Sequence, residues 1–237
     1  MNAPRHILVV DDERDIVDLL AFNLRRAGYD VATALTGREA LAALARRAPD
    51  LVILDVMLPQ FSGVEIAQRI RTDPSLRQVP ILMLSAKASE ADQLVGLSSG
   101  ADDYVTKPFS VKLLLARVES ILRRTGAPAG GEGAASLGPI RMDPGTFEAL
   151  VADHPLPLTR TEFRLLWALL HARGRVLSRA DLIAQAIGPG VTVTERTIDV
   201  HMTSVRRKLG EAAAFIHTVR GVGYRAAEPD ARPRRAT

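Results

Sequence analysis

The run Leu51-Val52-Ile53-Leu54-Asp55 carries four apolar residues straight into an aspartate, with Pro59 shortly after. An apolar run of that length between turn signals reads as a strand buried on both faces. Asp55 then stands at the carboxyl end of the strand, where open α/β sheets place their ligands. A buried carboxylate is costly unless a partner meets it. Two further stretches supply partners. Ile7-Leu8-Val9-Val10 runs into Asp11-Asp12, and Asp103-Tyr104-Val105-Thr106 runs into Lys107. If the three strands are neighbours in a parallel sheet, three carboxylates and one ammonium converge on one edge. Clustered carboxylates raise one another's pKa unless a cation intervenes. A hard divalent ion with oxygen ligands, Mg²⁺ above all, answers that need. The ion and Lys107 together would stabilise a phosphoryl group on Asp55. Taken singly, an aspartate at a strand end is more often a helix cap or a solvated loop residue. It is the three runs together, in this order, that point to chemistry.

In that order the runs resemble the receiver domain of bacterial two-component response regulators, over residues 4–124. The resemblance implies that Asp55 is the phosphoacceptor. It implies that Asp11, Asp12 and Asp55 bind the metal, with Met57 lending a backbone carbonyl. Ser85, ending the run Ile81-Leu82-Met83-Leu84, matches the switch hydroxyl, and Tyr104 matches the switch aromatic. Lys107 matches the phosphate-binding lysine, and the family has a cis bond before the equivalent of Pro108.

The elements that would position these residues follow from periodicity. Ile16, Leu19, Leu20 and Leu24 recur at helical spacing, and Gly28 stops that helix. A strand is expected over residues 29–34, and a helix capped by Thr36 over 36–47. Helices are also expected over 63–71, 89–99 and 111–124, with strands over 79–84 and 103–105. Five strand–helix units in strict alternation predict a doubly wound five-stranded parallel sheet, flavodoxin-like in class. Residues 125–136 are rich in Gly, Pro and Ala without a large apolar side chain, the composition of a flexible linker.

Composition narrows the function. The chain has 237 residues, 47% hydrophobic, and no cysteine, which excludes disulfides, thiolate metal sites and a cysteine nucleophile. No apolar run approaches the roughly 18 residues of a membrane span, and the N-terminal run is not that of a secretory signal. A cytoplasmic protein with no membrane partner is expected. Residues 1–124 hold 16 basic and 16 acidic side chains, whereas residues 125–237 hold 15 and 11. All of the net charge of +4 therefore lies in the second half, where any polyanion would bind.

That half begins with short strand-like pieces at Ile140, residues 147–151 and residues 155–158. Thr159-Arg160-Thr161-Glu162 is a capping box before Phe163, Leu166, Trp167 and Leu170 at helical spacing. Ser178-Arg179-Ala180-Asp181 opens a shorter helix in the same way. A third helix is expected over 194–209, then a hairpin of residues 215–219 and 222–225. Three helices followed by a hairpin suggest a winged helix-turn-helix domain over residues 137–227, with a basic tail over 228–237. The motifs Leu158-Thr159-Arg160-Thr161-Glu162-Phe163, Glu195-Arg196-Thr197-Ile198-Asp199-Val200-His201 and Thr218-Val219-Arg220-Gly221-Val222-Gly223-Tyr224-Arg225 resemble the effector domain of the OmpR/PhoB family. The segment Arg71-Thr72-Asp73-Pro74-Ser75-Leu76-Arg77 resembles that family's phosphate-regulon branch.

On the third helix, Ile198, Met202, Val205 and Leu209 share a face that should pack inward. Arg196, Val200, Thr203 and Arg207 form the opposite ridge, expected to enter the major groove of double-stranded promoter DNA. Val200, a lone valine with nothing to bury there, would meet thymine methyls. Arg220 suits the minor groove or its phosphates, and the resemblance adds Thr218 and Tyr224 to the DNA-binding set. Thr203 and Ser204 stand where relatives often carry arginines, leaving a less basic helix. The resemblance also implies a sensor histidine kinase as phosphodonor. RNA polymerase would meet residues 187–192, where Ile187 replaces a frequent tryptophan. It further implies a homodimer on phosphorylation, with Leu94, Leu97 and Leu115 as an apolar cluster and Asp103 and Arg117 as a charge pair across it. Gln93, Ser98 and Leu113 replace charges common in relatives.

Two other functions compete with a phosphorylation-switched transcription factor. A hydrolase turning over through an aspartyl-phosphate generally carries an acid–base aspartate two residues after the nucleophile, and here that residue is Met57. A receiver acting only by protein docking is disfavoured by the wing arginines. The five histidines are scattered, none at a metal or triad spacing. At most slow self-dephosphorylation is expected, not enzymatic turnover.

Overall fold

The computed structural model describes residues 3–85, 100–125, 133–187 and 195–229. Contacts divide the chain into two units, Met1–Ala127 and Pro128–Thr237.

The first unit is built on five parallel strands: β1 (His6–Val10), β2 (Asp30–Ala34), β3 (Leu51–Asp55), β4 (Ile81–Ser85) and β5 (Asp103–Thr106). Their order is β2-β1-β3-β4-β5. Every residue of β1, β3 and β4 is buried, which is why these strands read as unbroken apolar runs rather than alternating ones. Ile7, Val9, Leu51, Ile53, Leu82 and Leu84 pack on α1 (Arg14–Arg26) and on α4 (Val111–Thr125). The helices α2 (Gly37–Arg46) and α3 (Gly63–Thr72) pack on one another, and α2 lies against β1 and β2. Thr36 caps α2 by accepting from the Glu39 N–H, and Ser62 with Glu65 forms a capping box on α3.

Register sets what the sheet edge carries. Val10 is level with Leu54, Asp55 with Leu84, and Ser85 with Thr106. Asp11, Asp55, Ser85 and Lys107 therefore leave the sheet together at its carboxyl edge. Gly63 lets α3 start directly against this edge, where a Cβ would collide with the Asp55 carbonyl oxygen.

The second unit opens with a four-stranded antiparallel sheet: β6 (Ala135–Leu137), β7 (Ile140–Asp143), β8 (Glu148–Val151) and β9 (His154–Pro155). Among the described residues, three α-helices follow. They are α5 (Arg160–His171), α6 (Arg179–Leu182), which runs on into a π-helical turn (Ile183–Ile187), and α7 (Glu195–Leu209). After a 3₁₀ turn (Gly210–Phe215), β11 (Ile216–Val219) and β12 (Gly223–Ala226) form a hairpin joined at its edge by β10 (Leu177–Ser178). This is a winged helix-turn-helix arrangement. Its core joins Phe163, Leu166 and Trp167 of α5 to Ile198, Met202, Val205 and Leu209 of α7, with Ile140 and Ile216 from the two sheets. The Thr159–Glu162 and Ser178–Asp181 capping boxes both form.

Several boundaries differ from expectation. β6 starts at Ala135, which pairs with Met142, inside the stretch read as linker. The hairpin begins at Ile216 because residues 210–215 curl into the 3₁₀ turn, started by Gly210 at φ +58°. The expected helix over 89–99, with Leu94 and Leu97, lies outside the described residues, as do residues 188–192 and 230–237. Among the described residues, no helix is long and apolar enough to cross a membrane.

Candidate functional site

At the carboxyl edge of the first sheet, Lys107 Nζ donates to Asp55 Oδ2 at 2.7 Å and to Glu13 Oε1 at 3.0 Å. It also lies 2.8 Å from Asp11 Oδ2. That last contact is an ion pair outside hydrogen-bond geometry, since Asp11 Oδ2 is buried with no hydrogen-bond partner. Asp11 Oδ1 accepts from the Glu13 N–H at 3.0 Å, and Asp55 Oδ1 from the Met57 N–H at 3.1 Å. Burial pushes the Asp11 carboxyl above the usual range; the Lys107 contact and the Glu13 N–H offset this in part, and the Asp55 charge adds to it. Burial alone would lower the Lys107 ammonium, but its three carboxylate neighbours outweigh burial and raise it, so it is charged at all working pH.

Asp11, Asp12 and Asp55 each bring a ligand oxygen within 4.8 Å of the others. Asp11 and Asp55 are buried while Asp12 is exposed, so the group opens to solvent on one side. A buried carboxylate oxygen lacking a hydrogen-bond partner, among hard oxygen donors, fits a magnesium ion. Met57, whose N–H reaches Asp55, is itself 70% exposed.

Ser85 is buried one strand away, and its carbonyl accepts from the Lys107 N–H at 2.7 Å. Tyr104 is half-buried on β5, three residues before Lys107, and its N–H donates to Asp103 Oδ1 at 2.8 Å. The Lys107–Pro108 bond is cis. Sequence reasoning missed Glu13, which reaches Lys107 across 94 positions of chain. Its only trace in the sequence is that it extends the Asp11-Asp12 acidic run.

In the second unit, Arg196, Thr203 and Arg207 are exposed on α7, as are Thr218 and Arg220 on the hairpin. The Thr203 hydroxyl is turned back onto the Asp199 carbonyl at 2.8 Å. Two of the residues expected to contact DNA are more buried than the sequence suggested. Val200 is 9% exposed and so does have something to bury. Both α5 and α6 pack on α7, so its covered face is wider than one apolar seam. Tyr224 is 4% exposed. Its hydroxyl donates to Asp199 Oδ1 at 2.6 Å, and the guanidinium groups of Arg179 and Arg206 lie over its ring, 5.3 and 5.4 Å from the centroid. Burial, with Asp199 beside it, pushes the Tyr224 hydroxyl up to about 12. Neither side chain offers a groove much surface.

Sequence reasoning missed Arg206 as well. It donates to the Ile216 carbonyl at 2.9 Å and to Thr218 Oγ1 at 2.7 Å, fixing the wing against α7. The two residues expected to form a charge pair at a dimer face meet each other within one chain. Arg117 Nη1 donates to Asp103 Oδ2 at 2.7 Å, with both side chains buried. Leu115 is half-buried against the core, and Leu113 is 42% exposed.

A parallel-sheet unit with an acid–lysine pocket, followed by a winged helix, defines a phosphoacceptor switch coupled to a DNA-binding domain. Comparison with known proteins agrees. The family described as "Response regulator receiver domain" matches residues 7–119, and "Transcriptional regulatory protein, C terminal" matches residues 153–226. The chain is 42% identical over 220 residues to the phosphate regulon transcriptional regulatory protein PhoB of Pseudomonas aeruginosa, covering 92% of this chain and 96% of that one. It is 42% identical over 236 residues to the alkaline phosphatase synthesis transcriptional regulatory protein PhoP of Bacillus subtilis, covering 95% and 98%. Among solved structures, a mutant of RitR superposes with a TM-score of 0.79 at 26% identity, over 94% of this chain and 99% of that one. The Thermotoga maritima OmpR/PhoB homologue DrrB gives 0.51 at 30% identity, over 94% and 99%. The chain belongs to the OmpR/PhoB family of two-component response regulators. It is a DNA-binding transcriptional regulator activated by phosphorylation.

Proposed function

We propose that Asp55 is the phosphoacceptor, supplied by a sensor histidine kinase, and that the chain is a switch rather than a turnover enzyme. The observation that carries this is the 2.7 Å Lys107–Asp55 contact beside the three clustered aspartates. Asp11, Asp12, Asp55 and the Met57 carbonyl would hold Mg²⁺, which when bound neutralises charge on the transferring phosphoryl group. An Asp55 carboxylate oxygen forms the new P–O bond as the P–N bond to the kinase histidine breaks, and the imidazole leaves with the electron pair. Lys107 keeps an ammonium proton on the phosphoryl oxygen. Ser85 and Tyr104, on the two strands beside this edge, move toward the phosphorylated pocket and change the outer surface of β5 and α4. Met57, where a hydrolase would carry its acid–base aspartate, supports a lasting phosphoryl group.

The output is assigned to the second unit. Arg196, Thr203 and Arg207 face DNA from α7, with Thr218 and Arg220 from the wing. Phosphorylated chains pair through a face that includes Leu94, Leu97, Leu113 and Leu115, and two effectors bind half-sites about one DNA turn apart. RNA polymerase is met near residues 187–192. A cytoplasmic location suits all of these partners, and the names of PhoB and PhoP favour phosphate-responsive genes. The test is incubation with a small phosphodonor, with and without Mg²⁺, followed by intact mass. One phosphoryl group, present only with Mg²⁺ and absent from Asp55→Asn, is expected; rapid release of inorganic phosphate with turnover would instead make the chain a hydrolase.

A further inference from the structure

Glu13 stands at the N-cap of α1, yet its side chain makes no capping hydrogen bond. Glutamate is not a favoured N-cap residue in any case. Its carboxylate instead accepts a hydrogen bond from Lys107 Nζ, which also donates to Asp55. The three acids around Lys107 differ in exposure: the side chain of Asp11 is 0% exposed, that of Asp55 5% and that of Glu13 61%. This difference ranks them as leaving partners. Parting Lys107 from Asp11 strands a buried carboxylate without its cation, which is costly. Parting it from Glu13 returns an exposed carboxylate to water at little cost.

We propose that Glu13 is a positioning residue that holds Lys107 in the unphosphorylated chain and is displaced from it by a phosphoryl oxygen on Asp55. The proposal rests on Asp55 being the acceptor. Glu13 then acts as a brake. Its hydrogen bond stabilises only the unphosphorylated state, and its charge opposes the incoming anion. Glu13 lies outside the Asp11, Asp12 and Asp55 group, so removing it should leave the metal site intact.

The test uses the full chain as wild type, Glu13→Gln and Glu13→Ala. With acetyl phosphate as donor, an Asp55 oxygen forms the P–O bond while acetate leaves with the electrons of the broken P–O bond. Both variants should be phosphorylated about twofold to fivefold faster, the range that an exposed charge pair spans. Both should bind fluoroberyllate, a phosphoryl mimic, more tightly by a similar factor. Mg²⁺ affinity, titrated without donor, should not change. Unchanged or slower phosphorylation in both variants overturns the proposal, and so does weakened Mg²⁺ binding, which would make Glu13 a metal ligand. A wild-type chain that takes no phosphoryl group on Asp55 refutes the acceptor assignment instead.

Discussion

The Tyr224 hydroxyl donates to Asp199 Oδ1 at 2.6 Å, so the wing hairpin is tied directly to the helix assigned to the major groove. The same oxygen accepts from Arg179 Nε at 2.8 Å, which brings α6 into the same node. The hairpin, α6 and α7 thus share one carboxylate oxygen.

Tyr224→Phe keeps the ring under its two guanidiniums and removes only the donor. The loss should be about 0.5–1.5 kcal/mol, because Asp199 retains Arg179. Trp167, the chain's one tryptophan, is buried in the second unit's core, so its fluorescence during denaturant unfolding reads this unit alone. The folded Tyr224 hydroxyl titrates at about 12, above its ordinary 10.0. Its contribution is therefore fully present below pH 10 and lost as pH rises toward 12. The Phe variant should lack that alkaline loss.

Glu162 gives the opposite dependence. Burial acts to raise its carboxyl, but Lys208, 2.6 Å away, and hydrogen bonds including the Thr159 N–H hold it below its ordinary 4.5. A depressed carboxyl contributes stability above its unfolded value and loses it as pH falls through the folded one. Glu162→Gln should cost about 1–3 kcal/mol at neutral pH and flatten the stability curve below pH 4.5. An unchanged acid limb would show that the pair contributes nothing.

Burial pattern decided what could be read from sequence. Asp11 and Asp55 were legible because they stand at the ends of fully buried apolar strands, and Lys107 because it directly follows a third short strand, whose burial alternates. Both capping boxes in the second unit were legible because capping is local. Glu13 was not, because an exposed acid in a first turn resembles any other and its partner is distant in the chain. The burial of Val200 was not legible because helical periodicity predicts one buried seam, whereas α7 is covered by two helices, and that of Tyr224 on β12 was not because its partners Asp199, Arg179 and Arg206 lie on other elements. The β6–β9 sheet was seen only as fragments because its strands are two to four residues long, too short for alternation to show.

Loss of either aspartate beside Asp55 should weaken the proposed metal site. Asp11→Ala and Asp12→Ala each remove a hard oxygen donor from the group within 4.8 Å. Mg²⁺ titration should show lower affinity for both, and phosphorylation of Asp55 should slow in step. Wild-type affinity in either variant would remove that residue from the ligand set.

The exposed arginines of α7 should differ in what they contribute to DNA binding. Arg196→Ala and Arg207→Ala should each weaken it. A phosphate contact, once lost, lowers affinity evenly across sequences and reduces the salt slope by about one unit. A lost guanine contact relaxes one operator position by about 1–3 kcal/mol. Mobility shifts at several salt concentrations on a panel of operators separate the two, and no change in either quantity would take the ridge off the DNA.

The Arg117–Asp103 pair bears on how the phosphorylated chain assembles. Were it a contact between chains, Arg117→Ala would weaken the dimer and leave the monomer's stability alone. The pair forms within one chain at 2.7 Å with both partners buried, and the other Asp103 oxygen accepts from the Tyr104 N–H. Removing one partner of a buried pair typically costs about 3–5 kcal/mol. Arg117→Ala should therefore destabilise the receiver before phosphorylation, visible as earlier thermal unfolding of its helical signal while the Trp167 transition stays put. Leu97→Asp should behave in the reverse way, impairing sedimentation as a dimer after phosphorylation at both low and high salt. An Arg117→Ala chain of unaltered stability that fails to dimerise would return this pair to the interface.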